Sequence, residues 1–134
     1  MTLVLLSVFV LSGCASAYTE KISGVPEADQ ITGTFRSQED EDSPALTPVI
    51  AWSADGSQLV LTTYGSSSCP AEPRSVRVTQ KSVVEIEVAR SNWMCTADYG
   101  PTTFWIDVPA GLSEFQQADV VLNRETTLRL SGGR

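Results

Sequence analysis

Val83-Val84-Glu85-Ile86-Glu87-Val88 decides the fold. Apolar and charged side chains alternate along it with a period of two. Successive side chains of a strand point to opposite faces, so Val84, Ile86 and Val88 form a buried face, and Glu85 and Glu87 a wet one. The pattern continues upstream. Ser75 to Thr79 sets Val76 and Val78 against Arg77, and Gln80-Lys81 makes a tight connection between the two runs. Gln58 to Tyr64 reads as a strand, and Thr47 to Trp52 as the one before it, where Pro48 fits an edge or a strand start. Asp55-Gly56 between them is a hairpin turn signal. Downstream, Thr102 to Val108 places Phe104, Ile106 and Val108 in register, and Pro109-Ala110-Gly111 stops it. Residues 113 to 118 read as one helical turn. Val120 to Leu122 and Thr126 to Leu130 form a last hairpin around Asn123-Arg124. About seven short strands separated by turn residues predict an all-β chain, a small β-sandwich of immunoglobulin-like topology.

Two loops interrupt the strands. One is Gly65-Ser66-Ser67-Ser68-Cys69-Pro70; the other spans residues 90 to 101 around Cys95. The chain has three cysteines. In an exported chain, Cys69 and Cys95 are expected to form one disulfide, leaving Cys14 for another fate. Such a bridge staples the two loops at one end and contributes roughly 3 to 4 kcal/mol by chain-entropy reasoning. The rival reading is a catalytic or metal-binding cysteine, which the absence of histidine disfavours.

Cys14 belongs to a targeting signal. Residues 2 to 11 are almost all apolar, and Leu11-Ser12-Gly13-Cys14 follows the bacterial lipobox order of Leu, small, small, Cys. The apolar run is about half the roughly 20 residues needed to span a bilayer, as in a signal h-region. Residues 1 to 13 are therefore expected to be a lipoprotein signal peptide, with Cys14 the lipidated residue and the membrane a partner through its lipid. Two acyl chains, each methylene contributing about 0.8 kcal/mol, hold a protein at a surface without a transmembrane helix. A basic n-region is missing, which points to a start upstream of Met1 or a weak signal. Ala15-Ser16-Ala17 also offers an ordinary cleavage site, which would remove Cys14.

Net charge is −7. Between Ala15 and Ser43 seven acids face two bases; from Pro44 onward nine acids face seven. Residues 14 to 43 are thus expected to be an acidic flexible tether, and residues 44 to 134 the sandwich domain. The run Glu39-Asp40-Glu41-Asp42 lacks the spaced pattern and glycine of a calcium loop. No basic stripe favours nucleic acid.

Catalytic chemistry is thinly represented. Without histidine, Ser-His-Asp and Cys-His systems and histidine zinc sites are excluded. Ser66, Ser67 and Ser68 follow a glycine but do not make a G-x-S-x-G elbow. Glu72, Glu85, Glu87 and Asp98 are the acids from which a carboxylate pair for hydrolysis could be drawn. No cofactor or metal is expected. The loop Asn92-Trp93-Met94-Cys95-Thr96-Ala97-Asp98-Tyr99-Gly100 carries the candidate binding surface: Trp93, Asp98 and Tyr99. Aromatics on a disulfide-held loop are good interface anchors. The alternatives are that Trp93 and Tyr99 cap the sandwich on the bridge, and that Asp98 accepts local backbone hydrogen bonds. Trp52 and Trp105 lie in strands and read as core.

Tyr64-Gly65-Ser66-Ser67-Ser68-Cys69-Pro70, Cys95-Thr96-Ala97-Asp98-Tyr99-Gly100-Pro101 and Pro109-Ala110-Gly111-Leu112 together resemble a family of small secreted actinobacterial lipoproteins with G-S-S-S-C-P and C-T-x-D-x-G-P segments. The likeness covers about residues 46 to 130. It implies secretion, paired cysteines and a β-rich domain, and carries over no catalytic residue and no ligand. The function expected is that of a non-enzymatic, lipid-anchored module outside the cytoplasm that binds an envelope protein or the cell wall. The alternatives are a structural or stress-related envelope protein and a carboxylate-only hydrolase.

Overall fold

The computed structural model describes residues 15–33 and 47–133. Cys14, the signal segment and the Glu39–Asp42 run lie outside the described residues. Eight strands lie within them: β1 (Glu20–Ser23), β2 (Val49–Trp52), β3 (Gln58–Gly65), β4 (Glu72–Gln80), β5 (Val83–Ala89), β6 (Gly100–Asp107), β7 (Ala118–Leu122) and β8 (Thr126–Leu130). They form two four-stranded sheets, ordered β1-β6-β3-β2 and β4-β5-β7-β8.

The core lies between the sheets. Trp52, Leu59, Leu61 and Ile106 from the first meet Val84, Ile86, Val120, Leu122 and Leu130 from the second. The alternation in β5 has the meaning expected of it: Val84 and Ile86 are buried, while Glu85 pairs with Arg77 across the strand at 2.6 Å and Glu87 accepts from Ser75. The Trp52 indole, fully buried, donates to the Gln116 carbonyl at 3.2 Å, so burying its N–H leaves no orphan donor.

β3 is buried from Leu59 to Gly65, on both of its faces. Leu59 and Leu61 point to the core. Val60 and its register partner Trp105 point the other way, where Ile22 and Ile31 cover them. Thr62 and Thr103, opposite each other on that outer face, share a hydrogen bond of 2.7 Å, and Thr103 donates to the Gly24 carbonyl at 2.7 Å. The consecutive apolar residues Leu59-Val60-Leu61 are thus the mark of a strand covered twice.

The cover corrects the expected tether. Residues 15–33 include β1, which pairs with β6 from Glu20↔Trp105 to Ser23↔Thr102. A strap then crosses the sheet to Ile31, which bridges Ser53 beyond β2. Tyr18 packs edge-on against Phe104, with ring centroids 5.0 Å apart, and Glu72 of the second sheet accepts from both Tyr18 and Lys21. The domain therefore begins well before residue 44. Acidic composition hid this because its larger apolar residues, Tyr18, Ile22, Val25 and Ile31, do not alternate as those of a strand do.

The expected all-β sandwich with one disulfide is the fold found. Within it β5 and β7 are parallel neighbours, Val83↔Asp119 to Ile86↔Leu122. Parallel neighbours need a long crossover, and here the chain leaves β5, adds β6 to the opposite sheet and returns as β7. One further expectation is corrected. Residues 113–118 form no helical turn. Phe115 takes a left-handed conformation, φ 55°, which turns its ring onto Trp52 and over Gly56. Gly56, itself at φ 73°, is doubly required, since a Cβ there would lie 2.5 Å from the Phe115 ring.

Candidate functional site

The disulfide joins Cys69 to Cys95, with Cα atoms 5.4 Å apart. Both loops leave from one end of the first sheet, because Gly65 and Gly100 are register partners at the ends of β3 and β6. Cys69 is buried and Cys95 exposed, so the bridge pins the outer loop onto the inner one.

Hydrogen bonds complete the clamp. The Thr96 amide donates to Ser68 Oγ at 2.9 Å, and the Thr96 hydroxyl lies 3.0 Å from Ser66 Oγ and 3.1 Å from Ser68 Oγ. The Thr96 hydroxyl also donates to the Asp98 carboxylate, which accepts from the Ser67 amide at 3.3 Å. Asp98 thus accepts from a hydroxyl of its own loop and from a backbone amide of the other loop, a bond between loops in place of the local turn expected of it. Hydrogen bonds from Ser67 and then from Thr96 hold its carboxyl below the ordinary aspartate range. Ser66 and Ser68, which drew notice as hydroxyls beside a glycine, are parts of this clamp.

The clamp's polar side chains, exposed themselves, bond one another across the two loops, and the large apolar side chains stand in solvent beside them. Trp93 is 78% exposed, Met94 82% and Tyr99 55%. Trp93 therefore does not cap the sandwich. Met94 sits at φ 51°, a conformation that favours glycine, at the tip of the loop. Tyr99 stacks on Tyr64, with centroids 6.4 Å apart and planes 23° from parallel. Tyr64, Tyr99, Pro48, Arg90 and Glu125 line a cleft of about 420 Å³ beside the loop. The Arg90 guanidinium donates to the Tyr64 carbonyl at 3.1 Å and has no carboxylate partner among the described residues.

The structure brings Trp93, Asp98 and Tyr99 to one loop beside the Cys69–Cys95 bridge. Sequence reasoning missed the partners Tyr64 and Arg90. Tyr64 reads as the end of the strand begun at Gln58, and only the loop's return past β3 brings it under Tyr99. Of the other acids named for carboxylate chemistry, Glu85 and Glu87 share one face of β5 and Glu72 stands at the start of β4. Glu72 is held by Lys21, whose ammonium pKa is raised chiefly by that hydrogen bond; Glu85 is held by Arg77. A second groove, of about 400 Å³, lies over β4 and β5 and contains the paired Arg77 and Glu85. Among the described residues, no cluster of three acids or cysteines could hold a metal ion, and no helix is long and apolar enough to cross a membrane. No family model, curated protein or solved structure matches the chain.

Proposed function

We propose that this protein is a non-enzymatic binding module, anchored by lipid on Cys14 to the outer face of a membrane, and that the loop around Cys95 is its binding surface. One observation carries the reading. Trp93 and Met94 stand almost fully in solvent on a loop fixed by a disulfide and by hydrogen bonds shared with Ser66, Ser67 and Ser68. Exposing large apolar side chains is unfavourable unless something covers them, and fixing them beforehand reduces the ordering cost of binding. Trp and Tyr are the residue types most often found to dominate binding energy. The lipobox and the resemblance to secreted actinobacterial lipoproteins supply the address.

The test is chemical crosslinking on intact cells, comparing the native protein with Trp93→Ala and Met94→Ala. A reproducible crosslinked species that weakens about tenfold or more in Trp93→Ala supports the reading. A crosslinking pattern identical in all three proteins would sink it.

A further inference from the structure

The geometry points to a small-molecule site in the cleft between the two sheets, one that takes a zwitterion of the amino-acid class, with its carboxylate on Arg90 and its ammonium on Glu125. The inference rests neither on the lipid anchor nor on what Trp93 and Met94 meet.

Strands of both sheets form the cleft. Thr63 and Tyr64 come from the end of β3, Val88 from the end of β5 and Leu122 from the end of β7. Thr63, Tyr64 and Leu122 are buried, so the cleft has a packed floor. Its volume of about 420 Å³ falls within the roughly 300 to 1,000 Å³ of small-ligand sites. Two of its polar side chains are already satisfied. Thr63 Oγ1 donates to the Ala71 carbonyl at 3.1 Å, and both ends of the Asn123 amide are taken by the Val88 backbone. The charged residues among those lining it are Arg90 and Glu125.

The ligand class comes from these two charges. The Arg90 guanidinium is fixed from behind: it donates to the Tyr64 carbonyl and lies over Gly65, where a Cβ would stand 3.4 Å from it. That bond leaves most of its five N–H donors free. Glu125 is set by its backbone amide, bonded to the Leu122 carbonyl across the β7–β8 turn. Its carboxylate has no hydrogen bond or ion pair among the described residues. The two opposite charges thus line one cleft without pairing with each other. A simple anion would gain at Arg90 and be repelled by Glu125, and a simple cation the reverse. A molecule carrying both charges gains at both, and a guanidinium grips a carboxylate through two parallel bonds, which orients it. Tyr64 and Tyr99, with the Leu122 floor, then leave the side chain of such a molecule an apolar or aromatic place.

The experiment is an amide-shift titration of the full, isotope-labelled chain with L-phenylalanine, hydrocinnamate (the carboxylate without the amine), phenethylamine (the amine without the carboxylate), inorganic phosphate and N-acetylglucosamine. L-Phenylalanine should move the backbone amides of Tyr64, Arg90 and Glu125, and bind about tenfold or more tightly than any of the other four. Arg90→Gln and Glu125→Gln should each weaken it about tenfold. Both side chains are exposed, so neither variant removes core packing. Trp93→Ala should leave the binding unchanged, which separates this site from the surface proposed above. Hydrocinnamate or phosphate binding as tightly as L-phenylalanine makes the cleft a simple anion site and overturns the inference, as phenethylamine doing so makes it a cation site. Tighter binding of N-acetylglucosamine, binding indifferent to either charge variant, loss of binding in Trp93→Ala, or no shift of the cleft amides at about 10 mM L-phenylalanine overturns it equally.

Discussion

At the residue scale, two polar side chains show how local bonding decides what the chain can display. Asp98 is exposed, yet its carboxylate holds the Ser67 amide and the Thr96 hydroxyl. Its folded pKa is lowered by these bonds, so its contribution is fully present above the ordinary aspartate pKa of about 3.9 and is lost as pH falls through the lower folded value. The expected outcome is that protection of the Ser67 amide, taken relative to its intrinsic exchange rate at each pH, holds at pH 5 to 7 and is lost as pH falls through the lowered Asp98 value, while protection of the core amides of β3 and β6 is unaffected over that range. Asp98→Ala should show the reduced loop protection already at pH 7. Thr103 is the buried counterpart. It accepts from Thr62 and donates to Gly24, so it stands in the middle of a chain of bonds on the covered face. Thr103→Val strands both neighbours and should cost about 1–3 kcal/mol; Thr62→Val removes only the end of the chain and should cost less. Urea denaturation of the two variants tests the order, and a Thr62→Val that is the more damaging contradicts it.

At the element scale, strands that carry their own apolar pattern between turn residues are legible, and the one that exists by pairing with a neighbour's edge is not. β5 declared itself because Glu85 and Glu87 interrupt an apolar series. β2, β3, β4, β6, β7 and β8 lie where turn residues and alternation placed them, to within a few residues. β1 has four residues, three of them exposed, and exists because β6 offers it an edge. No local pattern records that offer. The loop was legible in part: the cysteine pair and its aromatic residues can be read directly, but the Tyr64–Tyr99 stack and the serine clamp depend on two distant loops being drawn together. The last hairpin permits a quantitative expectation. Three residues connect its strands, and Asn123 and Arg124 are the central pair of the turn that the Glu125 amide closes on the Leu122 carbonyl, at φ 50° and 61°, where an Asn-Gly pair is preferred. Asn123 earns its place by clamping Val88, accepting from its amide at 2.8 Å and donating to its carbonyl at 3.1 Å. Arg124 makes no such bond, and a left-handed residue with a Cβ costs about 1–2 kcal/mol. Arg124→Gly should therefore stabilise the domain by about 0.5–1 kcal/mol after the entropy of glycine is set against it. A fall in the denaturation midpoint contradicts this account of the turn.

At the scale of the whole molecule, the sandwich is closed by the segment whose composition looked least like structure. Without residues 15–33, the outer face of the first sheet would expose Val60, Trp105, Thr62 and Thr103, all now buried. That face combines apolar and hydrogen-bonding groups over two central strands, a surface on which partners other than the native one can pair. Ile31 alone, packed on Val60 and Trp105, should cost about 2–4 kcal/mol when cut to alanine. Domains of this size have about 5–15 kcal/mol in total, so losing the whole strap removes a large share of it. A chain starting at Ala15 should unfold in one cooperative transition, with Trp105 emission blue-shifted until the midpoint. A chain starting at Pro44, the boundary that charge distribution alone would choose, should show red-shifted Trp105 emission before any denaturant is added, and should aggregate or melt well below the longer chain. Equal midpoints for the two would mean that the strap merely lies on the sheet. The same strap gives the molecule its polarity, because β1 determines at which end the chain enters. The register of β1 with β6 brings the chain in at the Asp107 end of the first sheet, while the disulfide-linked loops close the Gly100 end, so the aromatic loop and the chain's entry lie at opposite ends of the sandwich.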